Sequence, residues 1–175
     1  NRHLAIQEDV NHLRSLGDIF VTEPKNAKKL QKRAQKTTVD KNGKLNRKKR
    51  FGKSIQNRCP GYFQAQIEQK FTQTGGQYIE VPKQYRASQY DHPSGTSIRK
   101  KLSDRMYRLS DGTLVQRDWY SSFLLYCIDF EQSAIDRSKC IKRFQQQYTK
   151  EKALIEWIRA NQIRVCNSGI RIATA

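Results

Sequence analysis

Two acidic residues stand where a carboxylate can do chemistry. Asp118 falls in the first turn of a helix that opens at Gln116-Arg117-Asp118-Trp119. The positive end of a helix favours negative charge there, and a first-turn carboxylate stays exposed. Ser121 and Ser122 lie three and four positions on, so the turn above Asp118 carries only small side chains. A carboxylate with so open an approach suits a metal ion, and the same position also suits an ordinary helix-terminal acid. Glu23 closes the β-branched run Asp18-Ile19-Phe20-Val21-Thr22, which fits a buried strand ending at Pro24. Open α/β sheets gather functional groups at the carboxyl ends of parallel strands. A plain strand-end acid is the other reading of Glu23.

Basic residues surround these acids. The chain of 175 residues carries 34 Lys or Arg against 16 Asp or Glu, a net charge of +18. So large an excess points to a polyanionic partner. Residues 25–53 alone hold 13 Lys or Arg and one acid, Asp40. Lys25, Lys28, Lys29, Lys32, Arg33, Arg47, Lys48, Lys49, Arg50 and Lys53 are the candidate phosphate contacts of that stretch. Such side chains neutralise phosphates without reading sequence. A nuclear-localisation tract is the rival for Arg47 to Arg50, but the basic spread runs far beyond it. Arg99, Lys100, Lys101, Arg105 and Arg108 promise a second basic surface, with Arg117 beside Asp118 as a further contact.

The elements that must position these groups can be read from periodicity. Residues 2–16 form an amphipathic helix with Leu4, Ile6, Val10, Leu13 and Leu16 on one side, stopped by Gly17. A helix over 24–36 and a loop over 37–50 follow the first strand. Pro60 to Thr72 is helical through Phe63, Ile67 and Phe71, and Gln77 to Tyr85 is a second strand, giving a parallel βαβ unit. Alternation puts Glu80 on the solvent side. Trp119, Phe123, Cys127 and Phe130 face a core at helical spacing. Ile135 to Ala160 form one or two helices whose stripe of Ile141, Phe144, Tyr148, Ile155 and Ile158 covers that core, and residues 161–175 are a frayed tail anchored by Ile163, Val165 and Ile170. The four cysteines form no C-x-x-C pair and read as free thiols of a reducing compartment. No apolar run is long enough to span a membrane, and no signal peptide is visible.

Several of these stretches resemble the TnpB (OrfB) proteins of insertion sequences, relatives of the type V CRISPR effectors. Arg117-Asp118, Tyr120 and the serine pair resemble the Arg-Asp-x-x-Ala-Ala motif that closes their RuvC nuclease domain. The order helix, Gly17, strand, Glu23 resembles the second RuvC motif, and Arg58-Cys59-Pro60-Gly61-Tyr62-Phe63 through Gly75-Gly76 is similar to this branch of the family. Ser88-Gln89-Tyr90-Asp91-His92-Pro93-Ser94-Gly95 and Arg108-Leu109-Ser110-Asp111-Gly112 resemble the two knuckles of the family's zinc ribbon with all four cysteines replaced, by Asp91, Ser94, Arg108 and Asp111. That set is a poor zinc site, so a metal-free hairpin-like loop is expected over 86–113, with Tyr90 and Tyr107 packed inside it.

The resemblance implies an α/β fold, the C-terminal half of an RNase H-like (RuvC) domain over 1–130, with residues 25–53 as its basic loop and 131–175 as a helical extension. It implies Glu23 and Asp118 as catalytic ligands of Mg or Mn, no zinc, DNA and a guide RNA as partners, no membrane, and a cytoplasmic, nucleoid-associated protein. The family's first catalytic Asp sits in a stretch resembling Gly-Ile-Asp-x-Gly, and these 175 residues contain none. The chain is therefore expected to be a fragment lacking the N-terminal portion, or a decayed copy, and inactive alone. Its alternative is a nucleic-acid-binding remnant that cleaves nothing.

Overall fold

A computed structural model describes residues 2–26, 36–46, 52–82, 85, 87–101, 103–132 and 134–172. The chain divides into two compact units, Asn1–Pro82 and Lys83–Ala175. The boundary expected at 130/131 falls inside the second. The described elements mix helices with small two-stranded sheets, in keeping with an α/β class.

The first unit opens with α1 (Arg2–Ser15), then β1 (Ile19–Thr22), α2 (Gly52–Arg58), α3 (Pro60–Gln73) and β2 (Gln77–Glu80). β1 and β2 pair in parallel, Ile19 opposite Gln77 through Thr22 opposite Glu80, so the expected crossover unit is present. The second strand is shorter than expected. Val81 N–H still donates to Thr22 O at 2.9 Å, and Pro82, with no N–H to give, follows where the ladder stops. Ile6 and Val10 of α1 and Ile67 and Phe71 of α3 form the core, with Phe20 stacked on Tyr78 at its edge. Leu4 and Leu16, expected on the apolar side of α1, are exposed, as is Ile19. A two-stranded sheet leaves β1 half-covered rather than buried.

One arginine aligns the elements of this unit. Arg14 donates to Thr74 Oγ1 at 2.7 Å and to Asp18 Oδ1 at 2.6 Å, and lies over the Phe71 ring. It thus ties the end of α1 to the entry of β1 and to the end of α3. Gly76 is needed in the turn that follows α3, because a Cβ there would meet Asp18 O at 2.7 Å. Residues 38–46 form a small antiparallel turn closed by the Val39–Leu45 bridge, with Asp40 accepting from the main chain of Asn42 and Lys44. Residues 27–35, where a helix is expected, and 47–50 lie outside the described residues.

In the second unit a 3-10 turn (Ala87–Gln89) leads into hairpins β3/β4 (Tyr90–Asp91, Thr96–Ser97) and β5/β6 (Met106–Arg108, Leu114–Gln116). β6 runs directly into α4 (Arg117–Tyr126). A small hairpin, β7/β8 (Ile128–Asp129, Ala134–Ile135), then delivers the single long helix α5 (Arg137–Ala160). The core joins Val115, Tyr120, Phe123, Leu124 and Cys127 to Cys140 and Phe144. Tyr120 and Leu124 are its deepest α4 residues. Phe130, expected on the buried face, lies past the helix end and is 47% exposed. Ile141 is exposed as well, and Cys140 takes the buried place beside it. In the described chain after α5, Ile163 and Val165, expected as anchors, are exposed and Ile170 is half-buried; Ser168 is the buried residue, and its carbonyl accepts from Gln116 Nε2 at 3.2 Å. Gly169 permits this, having φ +77° and a position where a Cβ would lie 2.6 Å from Arg105 Cβ.

Asp91 ties the two hairpins together. Its fully buried carboxylate accepts from Ser94 Oγ at 2.5 Å and Ser94 N at 3.2 Å, and from Ser110 Oγ at 2.6 Å and Ser110 N at 3.2 Å. Burial pushes its pKa up, but the Ser110 and Ser94 bonds outweigh that and hold it below the usual range. The second hairpin contributes Ser110, which lies between Arg108 and Asp111, the two positions that stand in the cysteine places of the motif. Arg108 donates to Gly112 O, and Asp111 accepts from Thr113 N within the turn.

Candidate active site around Asp118

Glu23 directly follows β1, in the first unit. Thr22 pairs with Glu80 in the parallel register, so Glu23 stands just beyond the carboxyl end of the sheet. It is half-buried, and no hydrogen bond or ion pair of its carboxylate occurs among the described residues. Glu80 is exposed, as expected, and accepts from Gln64 Nε2 at 2.8 Å.

Asp118 is the second residue of α4, in the second unit. Its approach is less open than the sequence suggests. Oδ1 accepts from Arg117 Nε at 3.1 Å and Nη2 at 3.0 Å, while Arg105 Nη1 stands 3.9 Å from Oδ2. The main chains reinforce the arrangement, since Arg117 N–H donates to Arg105 O at 2.9 Å. The Asp118 side chain remains 61% exposed, so each pair contributes about 0–1 kcal/mol and can be exchanged for another partner. Ser121 and Ser122 turn their hydroxyls back onto the carbonyls of Arg117 and Asp118, which keeps the turn above the carboxylate low.

Gln116 sets the angle of this helix. Its Oε1 accepts from Trp119 N at 2.6 Å, an N-cap that satisfies one of the free N–H groups of the first turn. Its own N–H donates to Glu151 Oε1 at 3.1 Å. Glu151 is 4% exposed, and its Oε2 has no partner among the described residues. Burial raises its pKa to about 7, against the lowering effect of the Gln116 N–H. Sequence reading passed over this acid. Yet a signal existed: position 151 lies three residues after Tyr148 and four before Ile155, within the stripe that covers the core.

The basic candidates divide. Lys25 is exposed, as are Arg99 and Lys101. Lys100 instead turns inward, its Nζ 3.6 Å from the centre of the Tyr107 ring, and burial pulls its pKa to about 8. Tyr107 packs edge-on to Tyr120, and Tyr90 joins the same core, so both are packing partners as expected. Arg117 is occupied with Asp118, its side chain 13% exposed. Lys28, Lys29, Lys32, Arg33, Arg47, Lys48, Lys49 and Arg50 lie outside the described residues, as does the side chain of Lys53. His92 is buried, with Nδ1 2.7 Å from the Tyr120 hydroxyl, and burial lowers its pKa.

Among the described residues no group of three or more His, Cys, Asp or Glu is placed to hold a metal ion. No described helix is long and apolar enough to cross a membrane. No family model and no curated protein matches the chain.

Proposed function

We propose that this chain is the C-terminal part of a TnpB-like, RNA-guided DNA endonuclease, supplying Glu23 and Asp118 to a metal-dependent phosphodiesterase site of RNase H-like (RuvC) type. The observation that carries the reading is the parallel β1/β2 pair with Glu23 just past its carboxyl end, where open α/β sheets gather functional groups. The Arg117-Asp118 motif at the start of α4 supports it.

Glu23 and Asp118 are the residues that would hold a divalent cation, since carboxylate oxygens are hard donors that suit Mg²⁺ or Mn²⁺. Such an ion, when bound, makes water a better nucleophile and relieves charge on the leaving oxygen. The chain's own residues do the rest. The Gln116 cap fixes the Asp118 turn, and Arg105 and Arg117 balance the carboxylate until it takes up its working partner. The basic residues of 25–53, with Arg99 and Lys101, neutralise phosphates of DNA and guide RNA. The family's first Asp must come from a stretch these residues lack.

One observation favours a second reading. Arg117 and Arg105 occupy both sides of Asp118, an arrangement that a catalytically inactive, nucleic-acid-binding remnant could keep unchanged. Joining the chain to a segment carrying a Gly-x-Asp-x-Gly strand, then comparing cleavage with and without Glu23→Ala and Asp118→Ala, separates the two. Loss of cleavage with binding intact supports the nuclease; a joined protein that binds and never cleaves supports the remnant.

A further inference from the structure

The long helix α5 buries Cys140, Phe144, Glu151 and Ile158 on one side. Its opposite side carries a second pattern. At 3.6 residues per turn, about 18 residues close five full turns, so Lys139 and Trp157 share one face. Lys142, Arg143, Gln146, Lys150 and Ala153 follow between them on that face, and all five are exposed. No carboxylate of α5 interrupts it: Glu151 is buried, and Glu156 lies about 100° around the helix from Trp157. Aromatic rings stand at both ends. Trp157 is 55% exposed, and its indole makes no hydrogen bond, ring contact or cation contact among the described residues. Ala153 and Ala160, one turn before and after it on the open side, are too small to cover the ring. Tyr126 is 51% exposed and is held by Lys139, whose Nζ donates to Tyr126 O at 2.8 Å and lies 4.8 Å from the ring centre.

Between the rings, Lys142, Arg143 and Lys150 make no ion pair among the described residues. From Lys139 to Trp157 the face runs about 27 Å, at 1.5 Å per residue. A protein partner or a membrane surface calls for a broad apolar patch, and this face carries cations where such a patch would lie. A single strand of nucleic acid matches it better: cations take the phosphates, and open rings stack the bases. We propose that this face of α5 is a track for single-stranded nucleic acid, with Trp157 and Tyr126 stacking bases at its two ends and Lys142, Arg143 and Lys150 neutralising phosphates between them. A duplex keeps its base faces closed and gains nothing from the rings. The inference rests on the nucleic-acid reading above and gives that reading a defined surface.

Anisotropy titration of the full chain with labelled oligothymidine of roughly twelve nucleotides, longer than the track, tests it. Trp157→Ala should weaken binding about tenfold, within the range for one lost base stack, and leave the salt slope unchanged. Trp157→Tyr keeps a ring and should retain most of the affinity, which a fold defect would not allow. Arg143→Ala and Lys150→Ala should each flatten the log–log salt slope by about 0.7. Oligouridine should show the same losses, because a ring meets the base and not the sugar. A duplex of equal length should lose nothing with Trp157→Ala. If Trp157→Ala binds the single strand as the parent does, or weakens single strand and duplex alike, the track is wrong and the nucleic-acid reading survives. If the parent binds neither, both fall.

Discussion

The main-chain N–H of Gln116 donates to Glu151 Oε1 at 3.1 Å, joining residues 35 apart in the chain. The same Gln116 caps the helix that carries Asp118. The candidate acid is thus positioned by a buried carboxyl on the opposite helix, and that carboxyl titrates near neutrality.

A pH dependence follows. Glu151 has a folded pKa of about 7, above its unfolded value of about 4.3. Its stabilising contribution is complete below the unfolded value and is lost as pH rises through 7. The loss amounts to about 4 kcal/mol at most. Glu151→Gln should therefore unfold at a higher temperature than the parent at pH 8 and show little difference at pH 4. Thermal melts at the two pH values check this, and a parent advantage at pH 8 would count against it.

Asp91 runs the other way. Its pKa is held down by Ser110 and Ser94, so its contribution is present above the unfolded value of about 3.9 and is lost as pH falls through the folded one. Asp91→Ala also removes four hydrogen bonds made to a buried carboxylate and should cost about 2–3 kcal/mol at pH 7. Ser110→Ala should cost less, since Ser94 still holds the carboxylate. Denaturant titrations of the two variants give the ordering.

Gly169→Ala should release the segment after α5. The new Cβ meets Arg105 Cβ, and φ +77° disfavours any side chain. Residues 163–172 should then be cut sooner in limited proteolysis, with the melting temperature lowered by a few degrees. Unchanged cleavage would mean that the Gln116–Ser168 bond holds the segment alone.

The exposed and inward-turned cations should differ in salt dependence. Arg99→Ala and Lys101→Ala should each flatten the log–log slope of nucleic-acid binding by about 1. Lys100→Met should leave the slope alone, because its ammonium faces the Tyr107 ring. Anisotropy titrations over a salt series measure all three.

What the sequence made legible was local. Alternation and turn residues marked the β1/β2 unit, the Asp118 helix and the long helix α5, because each repeats a pattern over several residues. Pairings between distant residues were not visible. Ser110, which holds Asp91, falls between the two motif places at Arg108 and Asp111, so motif spacing does not single it out. Arg105 reaches Asp118 only because β5 and β6 pair in one register. Glu151 was hidden for another reason: a charged residue within an apolar stripe looks like an interruption, and its burial follows from the Gln116 N–H waiting on the far side.

The most direct measurement is Mg²⁺-dependent cleavage of guide-matched DNA by the chain joined to a Gly-x-Asp-x-Gly-bearing N-terminal segment, with Glu23→Ala and Asp118→Ala as single variants. The account predicts cleavage by the joined protein, and a loss of at least about a hundredfold in either variant while DNA binding persists, since each carboxylate would hold the ion that activates the reaction. Cleavage that survives either substitution would contradict it.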